Sequence, residues 1–277
     1  MSNDAGVAVL EVGGSHVTAA VVSQGSWEVG SLRRTPLDSQ TSAEQIVTQL
    51  AAAATQLPLA NGLALAMPGP FDYAAGIAWY RGVDKFDSLY GFDLGQSLRS
   101  QLDLDRVVFV NDAEAFTVGE WTTGTLQGLE RCCGVTIGTG IGTAFLTNGQ
   151  VVRTGDTVPP GGELYRTDIA GKPLEDWISS RAILRAYDGP DGIGVKEVAE
   201  AARAGDTHAH QTLVEAFTVL AEALTPWLAR FGATRAVLGG SISGAFDLVS
   251  QVFTFDVAVT KDTEHSAIIG AAVRALA

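Results

Sequence analysis

Three glycine-rich turns stand directly after short apolar runs. Gly13-Gly14-Ser15 follows Val7 to Val12, the run Gly138-Thr139-Gly140-Ile141-Gly142-Thr143 follows residues 134–137, and Gly239-Gly240-Ser241 follows residues 235–238. Glycine at a strand end lets backbone N–H groups approach phosphate oxygens with no Cβ in the way, and the hydroxyl of Ser15, Thr139 or Ser241 adds a donor. A single such turn is an ordinary hairpin. Three in one chain, two of them in matching strand–turn–strand units, point to a phosphate-bearing ligand. The run from Gly138 is not a dinucleotide fingerprint, because its spacing fails at the last position and the apolar Ala144-Phe145-Leu146 stands where a helix must begin. The chain has no G-x-x-x-x-G-K-[ST] run either. Cradling of phosphates by paired hairpins is what remains.

Two acids stand beside these turns. Asn111-Asp112 closes the apolar run 107–110 and opens a helix that should reach about Thr123. A carboxylate there suits a general base, its ionised form favoured by the helix N-terminus, and it suits a plain helix cap equally well. Glu11 lies inside the first apolar strand, where an acid is costly unless it meets a cation or a metal-bound water, Mg²⁺ being the obvious candidate.

The elements that must position these groups alternate. Residues 7–12 and 17–22 read as a hairpin, 41–56 as an amphipathic helix, 62–66 as a strand ending at Met67-Pro68-Gly69-Pro70, and 107–110 as a strand. A second hairpin from Gly134 echoes the first, which suggests an internal duplication. Helices are expected over 174–187, 195–204 and 206–231, with Pro226 a possible kink, then a strand at 235–238, a further helix, a strand near 255–259 and a closing helix from about 264 to 276. Every glycine-rich turn sits at a strand end, so the fold class is α/β.

Composition narrows the function classes. The 277 residues are 46% hydrophobic and 18% charged, enough for a real core, and a formal charge of −13 repels nucleic acid and anionic lipid. The first residues carry no signal-peptide pattern and no apolar run approaches the roughly 20 residues that span a bilayer, so no membrane partner and a cytoplasmic location are expected. Cys132 and Cys133 read as reduced packing thiols, and His16, His208, His210 and His265 as structural or solvated.

Taken together the motifs resemble the ROK family of sugar kinases and related repressors. Glu11-Val12-Gly13-Gly14-Ser15 resembles its first phosphate motif, usually written with Asp and Thr. Residues 110–115 (Val-Asn-Asp-Ala-Glu-Ala) resemble the catalytic motif, 138–142 the second phosphate motif and Leu238-Gly239-Gly240-Ser241 the adenosine motif. Met67-Pro68-Gly69-Pro70 is similar to the sugar-side turn and Gly162-Glu163-Leu164 to the sugar-contacting Gly-Glu motif. The match covers nearly the whole chain.

The resemblance implies a two-lobed actin-like ATPase (ribonuclease H-like) fold with a duplicated mixed sheet and an interlobe cleft. The small lobe would be residues 1–110, with the helix 264–277 packing back on it, and the larger lobe 111–263. It implies ATP-dependent phosphorylation of a hexose or hexose derivative, with Asp112 as general base. Pro68, Gly69, Asn111, Asp112, Glu163 and Arg166 would meet the sugar. Gly13, Gly14, Ser15, Gly138, Thr139, Gly140, Gly239, Gly240 and Ser241 would cradle ATP, and Glu11 would position Mg²⁺ through water. A homodimer is expected. Two departures stand out. Arg166 occupies the place of the family's histidine, and no cysteine follows Cys133, so structural zinc is not expected. The polar stretch 80–94, with Asp84, Lys85 and Asp87, lies where the family usually places a sugar-binding asparagine. The competing readings are a non-catalytic sugar-binding or regulatory ROK protein and a kinase using polyphosphate as donor.

Overall fold

The computed structural model describes residues 6–82 and 85–277; Asp84, part of the polar stretch named above, lies outside them. Residue contacts divide the chain into two compact units, one running to Gly119 and taking in Glu264–Ala277, the other Glu120–Thr263.

In the first unit, β1 (Val7–Val12) pairs antiparallel with β2 (His16–Val22), and β2 with the edge strand β3 (Arg33–Pro36). On its other side β1 pairs parallel with β4 (Leu63–Met67), and β4 with β7 (Val107–Asn111), giving the order β3-β2-β1-β4-β7. Between β4 and β7 lie a small ribbon, β5 (Phe71–Asp72) with β6 (Ile77–Ala78), and helix α2 (Leu94–Leu102). Helix α1 (Ala43–Ala54) forms because Ser42 caps it, accepting from the Gln45 amide. Its stripe Ile46, Val47, Leu50, Ala53 and Ala54 is buried in the same core as Leu10, Leu65 and Phe109. Helix α3 (Asp112–Thr123) starts where β7 ends.

The second unit repeats this order. β8 (Arg131–Ile137) pairs antiparallel with β9 (Ile141–Thr147), β9 with β10 (Gln150–Val152), and β8 runs parallel to β13 (Arg235–Gly239), which runs parallel to β14 (Val257–Val259). The order is β10-β9-β8-β13-β14. Parallel and antiparallel neighbours fall in the same places in both sheets, so the duplication read from two short motifs extends through five strands of each. A ribbon, β11 (Asp168–Ile169) with β12 (Lys172–Pro173), precedes the helices α4 (Ser180–Tyr187), α5 (Val195–Arg203), α6 (Thr207–Phe231) and the short α7 (Phe246–Val249).

Two helical expectations change. Residues 174–187 are not one helix. Leu174–Asp176 is a single 3₁₀ turn, Trp177 Nε1 donates to the Ile169 carbonyl at 3.0 Å, and α4 begins afresh with Ser179 as its cap. Helix α6 continues through Pro226 to Gly232, whose φ of +72° closes it. By length and composition α6 is also apolar enough to cross a bilayer, contrary to the expectation that no apolar run approaches that length, yet half of its most apolar window is buried. Leu213, Phe217, Leu220 and Leu224 pack there with Cys133, Val135 and Phe145 of the second sheet.

The last helix, α8 (Thr263–Leu276), packs against α3 within the first unit. Two glycines let the backbones meet: a Cβ on Gly119 would lie 1.8 Å from the Ser266 carbonyl oxygen, and one on Gly270 1.7 Å from that of Ala115.

Candidate active site

At the C-terminal end of the first sheet, Asn111 Oδ1 accepts from the Glu114 amide at 3.0 Å and so caps α3. Its Nδ2 donates to the Tyr73 hydroxyl at 2.9 Å. That hydroxyl donates to the Met67 carbonyl at 3.1 Å, and the buried Tyr80 hydroxyl donates to the Pro68 carbonyl at 2.6 Å. The turn Met67-Pro68-Gly69-Pro70, with a cis Gly69-Pro70 bond, is thereby tied by Tyr73 to the strand end that bears Asn111 and Asp112, and is held at Pro68 by Tyr80. Neither tyrosine was singled out in the sequence; both lie in an aromatic cluster with Phe71, which reads simply as core.

Asp112 Oδ1 accepts from the Ala113 amide at 2.8 Å. Burial pushes its carboxyl above the usual range, while Lys85 and the helix-end amides oppose the rise. Lys85 also lies along the first glycine turn, its Cδ 3.3 Å from where a Gly14 Cβ would be. Among the described residues of the polar stretch, Lys85 is therefore the one beside the base, whereas Asp87 accepts from the Gly82 amide at 3.1 Å.

Glu11 sits one residue before the end of β1, in register with Thr18 and Ala66. Its Oε2 is buried and has no hydrogen-bond partner. Burial first, then Glu264 and Asp112, push its carboxyl from an ordinary 4.5 to about 8, against the pull of Arg34. His16, read from sequence as structural or solvated, faces this acid, with Nε2 3.9 Å from Glu11 Oε2 and 3.8 Å from Glu264 Oε1. An orphaned, buried carboxylate oxygen fits a divalent cation or a cation-bound water.

In the second unit, the Gly138 amide donates to the Gly140 carbonyl at 2.9 Å, closing a turn tighter than the six-residue one read from sequence. The Ser180 amide and hydroxyl both donate to the Gly138 carbonyl, at 2.8 and 3.0 Å, and the Ile141 amide donates to Glu175 at 3.3 Å. Gly240 has φ +86° and approaches Ile137 so closely that a Cβ would lie 2.3 Å from its carbonyl oxygen. The Gly240 amide donates to Thr263 Oγ1 at 2.7 Å, and Ser241 Oγ lies 3.7 Å from where a Gly138 Cβ would be. The turns at 138–140 and 239–241 thus form one cradle. Glu163 follows the turn Pro160–Gly162, which Thr143 holds by donating to the Gly162 carbonyl at 2.6 Å. Arg166 stacks on the Tyr165 ring and donates to its hydroxyl at 2.6 Å.

Glu11, the turn 13–15, Pro68, Gly69, Asn111 and Asp112 therefore belong to the first unit, and Glu163, Arg166 and the turns 138–140 and 239–241 to the second.

The ROK family profile matches residues 7–274. The chain is similar to a glucokinase of Thermotoga maritima, 24% identical over 307 residues with 95% of each protein covered. It is also similar to a beta-glucoside kinase of Listeria monocytogenes, 23% identical over 274 residues, covering 89% of this chain and 86% of that one. Among solved structures, a ROK family glucokinase from Streptomyces griseus in complex with glucose and AMPPNP has a TM-score of 0.80 at 21% identity, covering 97% and 98% of the two chains. The fold is accordingly α/β and actin-like, with its mixed sheet duplicated. With the profile spanning both sheets and the helices that follow them, the chain belongs to the ROK family.

Proposed function

We propose that this protein phosphorylates a hexose or close hexose derivative, with ATP as phosphoryl donor and Asp112 as general base. The observation that carries the reading is the setting of Asp112. It is a desolvated carboxylate whose proton affinity burial raises above that of an ordinary aspartate, at a strand end joined through Asn111 and Tyr73 to the turn that opens at Met67.

In this reading Asp112 takes the proton of the attacking sugar hydroxyl, and Asn111 and Glu163 hold neighbouring hydroxyls. The Asn111 carbonyl is occupied by the α3 cap and its amide by Tyr73, so the side chain is fixed in orientation before any sugar arrives. Pro68 and Gly69 shape the sugar side, and Arg166 alters the contact the family assigns to histidine. The turns 13–15, 138–140 and 239–241 receive the nucleotide phosphates and adenosine. Bound Mg²⁺ supplies neutralisation of phosphate charge, and Glu11 is the residue that would position it, through water. The thiolate ligands of a family zinc loop are missing, since Cys132 and Cys133 are the chain's cysteines and both are buried in β8. The same reading carries a cytoplasmic homodimer.

A coupled ADP-release assay with Mg-ATP against hexoses, hexosamines, N-acetyl amino sugars and polyols tests this. Sugar-dependent ADP release is the expected result and names the acceptor. Silence across the panel with sugar binding still measurable by calorimetry would replace the kinase with a sugar-binding regulator, and turnover with polyphosphate alone would replace the donor.

A further inference from the structure

We propose that Glu11, His16 and Glu264 form a direct, inner-sphere site for a first-row transition-metal dication such as Mn²⁺ or Co²⁺, filled without nucleotide. One ligand atom from each lies within 4.8 Å of the other two. The residues come from three elements, the end of β1, the start of β2 and the first turn of α8, all in one compact unit.

Four observations support the site. First, Glu11 Oε2 is buried and lacks any hydrogen-bond donor, although it points at an imidazole and a second carboxylate. Second, the His16 ring is already set for ligation. Arg34 Nη2 lies 2.9 Å from Nε2, and a guanidinium has donors only, so Nε2 carries the lone pair and Nδ1 carries the proton, 3.4 Å from Ser15 Oγ. A metal-bound histidine is usually held in this way through its other nitrogen. The ring lies over Gly13, where a Cβ would come within 2.8 Å of Cε1, so the glycine makes room for it. Third, Thr18 Oγ1 donates to Glu264 Oε1 at 2.5 Å and orients that carboxylate, leaving it further lone pairs. Fourth, once Glu11 gives up its proton to the entering ion, two carboxylates and a neutral imidazole balance a dication.

The donor set decides which ion. Mg²⁺ is an oxygen-preferring ion that keeps its waters, whereas an imidazole nitrogen beside carboxylates suits Mn²⁺, Co²⁺ or Zn²⁺. Cis ligand atoms around an octahedral ion with bonds of about 2.2 Å lie roughly 3.1 Å apart. The separations of 3.8 and 3.9 Å from His16 Nε2 therefore need to close by about 0.8 Å, and that between the two carboxylates starts within 4.8 Å. Arg34 must leave Nε2 when the ion enters, and its side chain is exposed on the edge strand β3, free to swing away.

The site shares Glu11 with the kinase reading but is tested without turnover. Chelator-treated, nucleotide-free protein is titrated with Mn²⁺ and the free-ion electron paramagnetic resonance signal followed, with Co²⁺ absorption as a second probe. The expected result is one ion per chain, displaced by Mg²⁺ only in large excess. Binding should weaken at least about tenfold in His16→Asn and in Glu264→Gln, and tighten in Arg34→Ala, which removes the competing cation. Thermal melts identify any variant that fails to fold, and the Arg34 variant keeps all three ligands. No stoichiometric binding to wild type, or equal binding in His16→Asn and Glu264→Gln, overturns the proposal.

Discussion

The two units carry the same five-stranded order on different residues, and the register shows which positions correspond. Glu11 is paired with Ala66 and Thr136 with Gly239, so β1–β4 matches β8–β13. One strand further out, Leu65 pairs with Phe109 and Leu238 with Val259, which sets Asp112 opposite Asp262 and α3 opposite α8. The strand ends of the first sheet hold a desolvated glutamate, a proline-rich turn and a desolvated aspartate. Those of the second hold Thr136, the left-handed Gly240 and an exposed Asp262. The two copies thus share a topology, and the burial of individual side chains at the carboxyl ends of their parallel strands is what tells them apart.

The comparison breaks most sharply where the matched helices meet. Gly119→Ala and Gly270→Ala each drive a Cβ into the partner's backbone carbonyl, which cannot yield as a side chain would. Each should cost about 3 kcal/mol or more, measured by denaturant unfolding, whereas Gly244→Ala, with nothing within 4 Å, should stay near wild type.

A smaller effect separates Glu11 from its counterpart Thr136. Glu11 keeps its proton to about pH 8 in the folded chain but releases it near 4.5 when unfolded. Between those values the unfolded state binds fewer protons, so this group's stabilisation, complete below pH 4.5, is lost as pH rises to 8. In chelator-treated buffer Glu11→Gln should melt above wild type at pH 8, with the gap closing toward pH 4.5; parallel melting curves at all pH values would contradict the burial of this acid.

The smallest effect concerns α1 and α6, the helices that precede the matched strands β4 and β13. Ser42 accepts one amide of α1, while Asp206 accepts two of α6, from His208 at 2.9 Å and Ala209 at 3.0 Å. Ser42→Ala should cost about 1 kcal/mol and Asp206→Ala more, up to roughly 2.

Much of this was legible in the sequence because it is local. Alternating or continuous apolar runs give the strands around the three glycine turns, and Asn111-Asp112 reads as a helix start from two adjacent residues. What escaped depends on contacts distant in sequence. The edge strand β3 is short and mostly exposed, with Arg33 and Arg34 where apolar residues would mark a strand, yet it delivers Arg34 to His16. Glu264 meets His16 only through the return of α8, and no spacing encodes that. Tyr73 and Tyr80 carry no motif; their roles lie in where their hydroxyls end.

The central claim is that the first copy's aspartate is the base and the second copy's is not. Asp112→Asn and Asp262→Asn, measured side by side for ADP release and for calorimetric sugar binding, test it most directly. The account predicts a loss of kcat of at least about a thousandfold in Asp112→Asn with sugar affinity changed less than about tenfold, and near wild-type behaviour in Asp262→Asn. Turnover retained in Asp112→Asn, or lost equally in both variants, would contradict it.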